Sequence, residues 1–443
     1  MDVQWSLFFA RNDLPPARHA FRFASPAYEP GHNQRGLFRL DYQNDVLVTC
    51  AEVLDKRWLL KTLALGNSLD VSLVEKIRAA HPQTLGEYWM KWDDTGGDRT
   101  GQGYNLSPGL KQKPASHLVD LPVFERPDGF TWAPDVAVTY AATYGMETAY
   151  WPKTKLLYQP PLVVVPKSPH EEQEFSKSFL FDHGIAFSQI NYGYSCAGHS
   201  SPELLASLIY LLTNSELLLY WVLMNCPSFG ADRQMFLKGT LDSVPFPAPE
   251  SLSAADKQQI LALAHSLQHD AKKPWDKINA LFARLYGLTE EECELMEDTL
   301  FSVAPYRTAG AAAFHPPMEE HITVFSDALS AALQPWLDIS GRTAYARPAS
   351  FAQDAYRDAW YFVEVSTRSE SADVTPELVA AAVAIANDQG CSRVVVRGPG
   401  AAGGLLLGQL AQRRWWTRTR ARLCATHIFH NHLDALRPPP RRK

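Results

Sequence analysis

The sequence predicts an α+β multidomain protein: a mixed strand-and-helix domain with a long helical pair and a helical tail, then a small C-terminal α/β domain. Three observations predict it. Strand-like runs such as LLYQPPLVVVPKS and RVVVRG alternate with amphipathic helical runs. The runs PELLASLIYLLT and ELLLYWVLMN meet at Asn214 and Ser215 and are apolar all round, which marks buried scaffold. At 443 residues the chain can also build two or three separate cores.

In chain order, GLFRLDY and DVLVTC read as short strands in the first fifty residues. AEVLDKRWLLKTLALGN reads as one amphipathic helix ending at Gly66 and Asn67, and SLDVSLVEKIRAAH as a second. Residues 91–116, rich in Gly, Asp and Pro, read as a loop that would suit either DNA or a surface connection. Strands follow between Leu118 and Ser168. Ser215 suits the N-cap of the second apolar helix, Ser253 that of SAADKQQILALAHSLQHDA, and Thr289 with Glu292 forms a capping box. Residues 308–320 look like a linker. AWYFVEVS, a helix over PELVAAAVAIANDQG, the strand RVVVRG and a helix around LLLGQLAQ complete the C-terminal part. The expected division is 1–149 as an N-terminal mixed α/β region, 150–300 as the central domain with its tail, 301–320 as linker, and 321–443 as the small α/β domain.

Composition narrows the class. With 46% hydrophobic and 20% charged residues the chain reads as globular. No apolar run is long enough to span a bilayer, the N-terminus lacks signal-peptide character, and six scattered cysteines without a CxxC pair fit a reducing compartment. The expectation is a cytoplasmic protein with no membrane partner. The net charge of −6 is unevenly distributed. Residues 393–443 hold eleven Lys and Arg and one acid, Asp434, so that end is about +10 and the remainder about −16. Such an end would attract a polyanion or dock on the acidic part of its own chain.

After the apolar helices the chain turns polar at Gly230, Arg233, Gln234 and Lys238 and closes on LDSVPFPAP. Arg and Gln carry the side-chain forks that match guanine and adenine edges. The run LLTNSELLLYW…FGADRQMFLKGTLDSVPFPAP resembles the C-terminal target-recognition half of TaqI-like type II and type IIG adenine-N6 DNA methyltransferases. LLYQPPLVVVPKSP, AFSQINYGYSC and ARLYGLTEEECELMED resemble the flanking strands and helical tail, so the resemblance covers about residues 150–300. It implies a domain that reads double-stranded DNA. Arg233, Gln234 and Lys238 would face the duplex beside Gly230, with Asn191, Tyr192 and Tyr194 on the neighbouring strand-loop surface.

The catalytic motifs of such enzymes are missing. An Asn/Asp/Ser-Pro-Pro-aromatic motif would hold the amino group of a flipped base. The nearest strings, around Gln159-Pro160-Pro161 and Asn12-Asp13-Leu14-Pro15-Pro16, lack the acceptor or the spacing. The resemblance therefore implies a split enzyme, with no cofactor on this chain and S-adenosylmethionine on a partner methyltransferase subunit. The string Gly398-Pro399-Gly400-Ala401-Ala402-Gly403 has GxGxxG form, but proline occupies the turn and no acid follows at the required distance, so it reads as a tight strand-to-helix turn. Cys424, His427, His430 and His432 lack a second ligand pair and read as helix-surface residues, with no metal. Asp358 and Glu364-Val365-Ser366 approach a nuclease pattern but lack its lysine.

QRRWWTRTRARLCATHIFHNH offers Arg413, Arg414, Arg418 and Arg420, with Trp416 among them, for phosphate contact or stacking on an unpaired base, a reading preferred to the alternative in which the tryptophans are partly core covered by arginines. The expected function is a DNA-sequence recognition subunit of a restriction-modification or phage-defence system, not catalytic alone. On that reading, charge removal at Arg233 relaxes sequence preference and removal at Arg418 weakens all sequences alike. A non-catalytic interaction scaffold that keeps this architecture is the alternative. A complete enzyme using the GPGAAG turn for a nucleotide is a third.

Overall fold

The computed structural model describes residues 16, 18–27, 29–40, 45–107, 109–124, 143–168, 178–230, 235–270, 272–304, 312–349, 359–370, 374–398 and 404–436. Over these residues the protein is mixed α+β. An antiparallel ribbon, β1 (Ala20–Ala24) and β2 (Asp45–Thr49), leads into helices α1 (Cys50–Asp55), α2 (Leu59–Leu65), α3 (Ser68–Ala79) and α4 (Leu85–Trp92). The single helix expected over 51–67 is thus two, with Lys56 capping the first. Asn67 and Asp70 close a capping box that starts α3, and Thr84 with Glu87 does the same for α4.

Strands β3 (Thr100–Gln102), β4 (Leu162–Pro166), β5 (Phe179–Phe181) and β6 (Asn191–Ser195) form one antiparallel sheet in the order β3-β6-β4-β5. The central strands are covered on both faces. Tyr192, Tyr194, Val163 and Val165 join one core, while Leu162 and Val164 join a second that contains Phe187. Gly193 is demanded by this packing, since a Cβ there would lie 2.3 Å from Phe187 Cζ.

Helices α5 (Pro202–Thr213) and α6 (Glu216–Asn225) follow, and the Ser215 side chain accepts from the Leu218 N–H as the expected N-cap. Both are buried almost all round. No single helix among the described residues is long and apolar enough to cross a membrane; this pair, bent by 64°, has the composition only when taken together. Next come the short α7 (Lys238–Asp242) and the tail helices α8 (Ala254–His269), α9 (Trp275–Leu285) and α10 (Glu290–Asp298). A π-helical turn, Thr299–Val303, extends the last of these. The first core draws on Val48, Trp58, Leu73, Trp89, Tyr192, Trp221, Phe282 and Leu300, so segments on either side of residue 149 pack together.

The C-terminal part has its own core. Helix α11 (Glu319–Asp338), β7 (Tyr345–Pro348), β8 (Trp360–Ser366), α12 (Pro376–Gln389), β9 (Arg393–Arg397), β10 (Leu405–Leu410) and α13 (Arg418–His432) build it. Its sheet runs β7-β8-β10-β9 and every pairing is antiparallel, so this part is α+β and not a parallel α/β unit. The expected helix around LLLGQLAQ is the inner strand β10. Its four leucines are buried on both faces, where periodicity cannot separate strand from helix. The GPGAAG string consequently joins two antiparallel strands and precedes no helix. Gly398 N–H donates to Gly404 O across it, and residues 399–403 lie outside the described residues.

The early segment also straps this C-terminal part. Ala27 belongs to its core, and Leu40 N–H donates to Gly390 O. Arg39 is buried, reaches Cys391 O at 2.9 Å and Asn387 Oδ1 at 2.7 Å, and lies 5.3 Å over the Trp360 ring.

Candidate nucleic-acid interface

The expected recognition loop leaves α6 at Cys226. Lys61 Nζ donates to the carbonyls of Cys226 and Phe229 there, and burial pushes this ammonium down to about 8. Gly230 has φ +74, and a Cβ on it would sit 2.6 Å from Leu223 Cδ1, so glycine is required. Arg233 and Gln234 lie outside the described residues. The chain returns against the first sheet, where Phe236 N–H donates to Lys167 O and the Tyr192 hydroxyl donates to Phe236 O.

Several expected contact residues sit elsewhere than at a surface. Asn191, Tyr192 and Tyr194 are buried in β6, because that strand lies inside the sheet between two cores. Tyr194 instead donates to Asp242 Oδ1 at 2.8 Å, and burial, then the nearby Asp242 charge, raises its pKa well above the phenol range. Lys238 is closed onto its own chain as well. Its Nζ donates to both Asp242 oxygens at 2.6 and 2.7 Å and sits 4.4 Å over the Tyr194 ring.

The basic C-terminal run is the larger correction. Trp416 is 1% exposed, donates from Nε1 to Leu410 O and packs on Phe325. Arg420 is 2% exposed and lies 4.8 Å over the Trp415 ring. Arg414 stacks on Phe314 and Trp415, and burial pushes its guanidinium down to about 10. Arg413 is half-buried, with its N–H donating to His315 O. Arg418 reaches Glu297 at 2.6 Å and Glu294 at 3.4 Å, and Arg422 also pairs with Glu294. Thr419 N–H donates to Asp298 Oδ2 at 2.8 Å. The cations therefore fasten α13 to α10, which is the docking on its own acidic part that the charge asymmetry allowed. Cys424 likewise lies inside, with Arg393 Nη1 donating to its sulfur at 2.9 Å. No group of three or more potential ligands is arranged around a metal position among the described residues. Glu364 and Ser366 are buried in β8, and Asp358 lies outside the described residues.

What the sequence reading missed is a lysine pair beside the loop. Lys167 follows β4 and lies 5.1 Å over the Tyr192 ring; Lys153 has φ +63 and lies 3.5 Å over the Trp151 ring. Trp151 is 52% exposed. Burial and then the charge of Lys167 both lower the Lys153 pKa, so the two cations are close enough to repel. Burial lowers the Lys167 pKa as well. Neither has a carboxylate partner among the described residues. Fourteen residues separate them, which no helix-face or strand-face periodicity connects; the only sequence signal was the aromatic-basic string Trp151-Pro152-Lys153.

No known protein family matches the chain, and no curated protein matches it.

Proposed function

We propose that this chain is a DNA-sequence recognition subunit, or specificity half, of an adenine-N6 DNA methyltransferase, with S-adenosylmethionine and catalysis on a partner chain. The observation that carries the reading is the Lys153–Lys167 pair. Two like charges that repel, with no acid paired to either among the described residues, destabilise the free protein and are relieved by an anion such as a backbone phosphate. The exposed Trp151 ring beside them offers a face for stacking. Lys167 also accepts a backbone hydrogen bond from the chain returning from the loop that carries Arg233 and Gln234, so phosphate contact and base reading would share one end of the first sheet. Arg418, Arg420 and their neighbours drop out of the interface.

The test is a duplex-DNA titration at two salt concentrations, with and without the methyltransferase subunit. Sequence-preferring, salt-sensitive binding that gains adenine methylation only with the partner is the expected result. Salt-independent or absent binding in both conditions overturns it and leaves the non-catalytic scaffold, a reading favoured by the intramolecular pairing of Arg418 and Arg422 with Glu294.

A further inference from the structure

A cleft of about 480 Å³ opens between α4 and the segment around Phe246 and Glu250. Its construction begins in the sequence Tyr88-Trp89-Met90-Lys91-Trp92. Tyr88 and Trp92 stand four residues apart on α4 and so share a face. Phe246 is fixed opposite by its N–H donating to Gln83 O, and its ring lies 5.2 Å from that of Tyr88. Trp92 packs edge-on to His199 at 5.1 Å. Three aromatic side chains therefore line one small volume.

The polar chain at this cleft has a definite direction. Ser201 N–H donates to His199 Nδ1 at 3.1 Å, so that nitrogen is an acceptor and the ring proton belongs on Nε2. Nε2 lies 2.8 Å from the Tyr88 hydroxyl, which in turn donates to Glu250 Oε1 at 3.0 Å. The Glu250 side chain is 60% exposed, and its described partners are the Tyr88 phenol and the His199 imidazole 3.6 Å away. Lys91 also lines the cleft yet makes no ion pair with Glu250 among the described residues. Among the described residues no lysine or arginine pairs with this carboxylate, which Tyr88 holds beside three aromatic side chains.

We propose that this cleft binds an organic cation, a guanidinium or alkylammonium group, packed against Trp92, the ring left most open beside the buried Tyr88 and Phe246, with its charge against Glu250. The negative faces of the rings and the carboxylate favour positive charge together, whereas an anion would meet both repulsively. The site is independent of the DNA reading and would stand without it.

Calorimetric titration of the full chain tests this with acetyl-arginine amide, its neutral isostere acetyl-citrulline amide, and an arginine-containing tripeptide. Arginine amide binds at least about tenfold tighter than the citrulline probe, and Glu250→Gln removes about tenfold of the arginine affinity. Glu250→Gln leaves the unfolding midpoint in place because the side chain is largely exposed. Tyr88→Phe keeps the ring but frees Glu250, and weakens the same probe less. A tripeptide bound about tenfold tighter than the amide makes the natural cation a protein side chain; equal binding makes it a free small molecule. Equal affinity of wild type and Glu250→Gln, equal affinity for arginine and citrulline probes, or no binding of either probe overturns the proposal.

Discussion

The basic residues of the C-terminal helix and the lysines at 153 and 167 differ in what surrounds them. Arg418 and Arg422 each face glutamates of α10, and Arg414 and Arg420 lie on tryptophan. Lys153 and Lys167 lie over aromatic rings, and the charge of Lys167 lowers the Lys153 pKa, with no acid paired to either among the described residues. The dense cluster in sequence is therefore neutralised within the fold, and the sparse pair has no carboxylate partner among the described residues. Charge density along a chain measures attraction to a polyanion only after the internal partners are counted.

The comparison breaks first in the core that holds the C-terminal cluster. Trp416→Ala should destabilise that part by about 3–5 kcal/mol in thermal or denaturant unfolding, as for other buried tryptophans. A loss below about 1 kcal/mol would mean that Trp416 is not core but surface.

Asp70 sharpens it next. This fully buried carboxyl accepts from Tyr220 and Thr299, and burial nonetheless pushes it from 3.8 up to about 6. A raised acid binds its proton more tightly in the native state than in the unfolded one. Its contribution is therefore greatest below about pH 4 and is lost as pH rises through about 6. At 1.36 kcal/mol per pH unit, wild type should lose about 3 kcal/mol relative to Asp70→Asn between pH 4 and 7. Parallel denaturation curves for the two proteins across that range would contradict the assignment.

A smaller effect belongs to Arg418→Ala. The side chain is about one-third exposed, so loss of its network should cost about 1 kcal/mol after solvent screening. Duplex affinity should stay unchanged, and a uniform drop across sequences would return this arginine to the interface. The finest test is Lys153→Ala and Lys167→Ala. Each should flatten the salt dependence of DNA binding by about one counterion without shifting the unfolding midpoint.

Local features were legible in the sequence. The N-caps at Ser215 and Ser253 and the Thr289–Glu292 capping box form as expected, because each depends on residues within one turn. The apolar helices α5 and α6 were also plain, since an all-round apolar helix has no exposed face to hide. Burial of Asn191, Tyr192 and Tyr194 was not legible. Their strand looks half-polar, and only the two cores packed on either side of its sheet show that both faces are covered. LLLGQLAQ failed for a related reason, and Gly408 shows what decides it: a Cβ there would meet Phe362 Cε1 of β8 at 2.4 Å. The partners of Arg418 lie more than a hundred residues earlier, beyond any pattern read along the chain.

The Arg39 strap has a kinetic consequence. Its partners at Ala386, Asn387 and Cys391 come about 350 residues later, so during synthesis at about 5–20 residues per second the guanidinium waits about 20–70 seconds for them. Over that interval the polar pocket of the C-terminal part does not yet exist, and closure of this very long loop must come last. Assembly of the C-terminal part is thereby tied to an early segment, and cutting the chain near residue 320 would release a fragment missing one piece of its own wall.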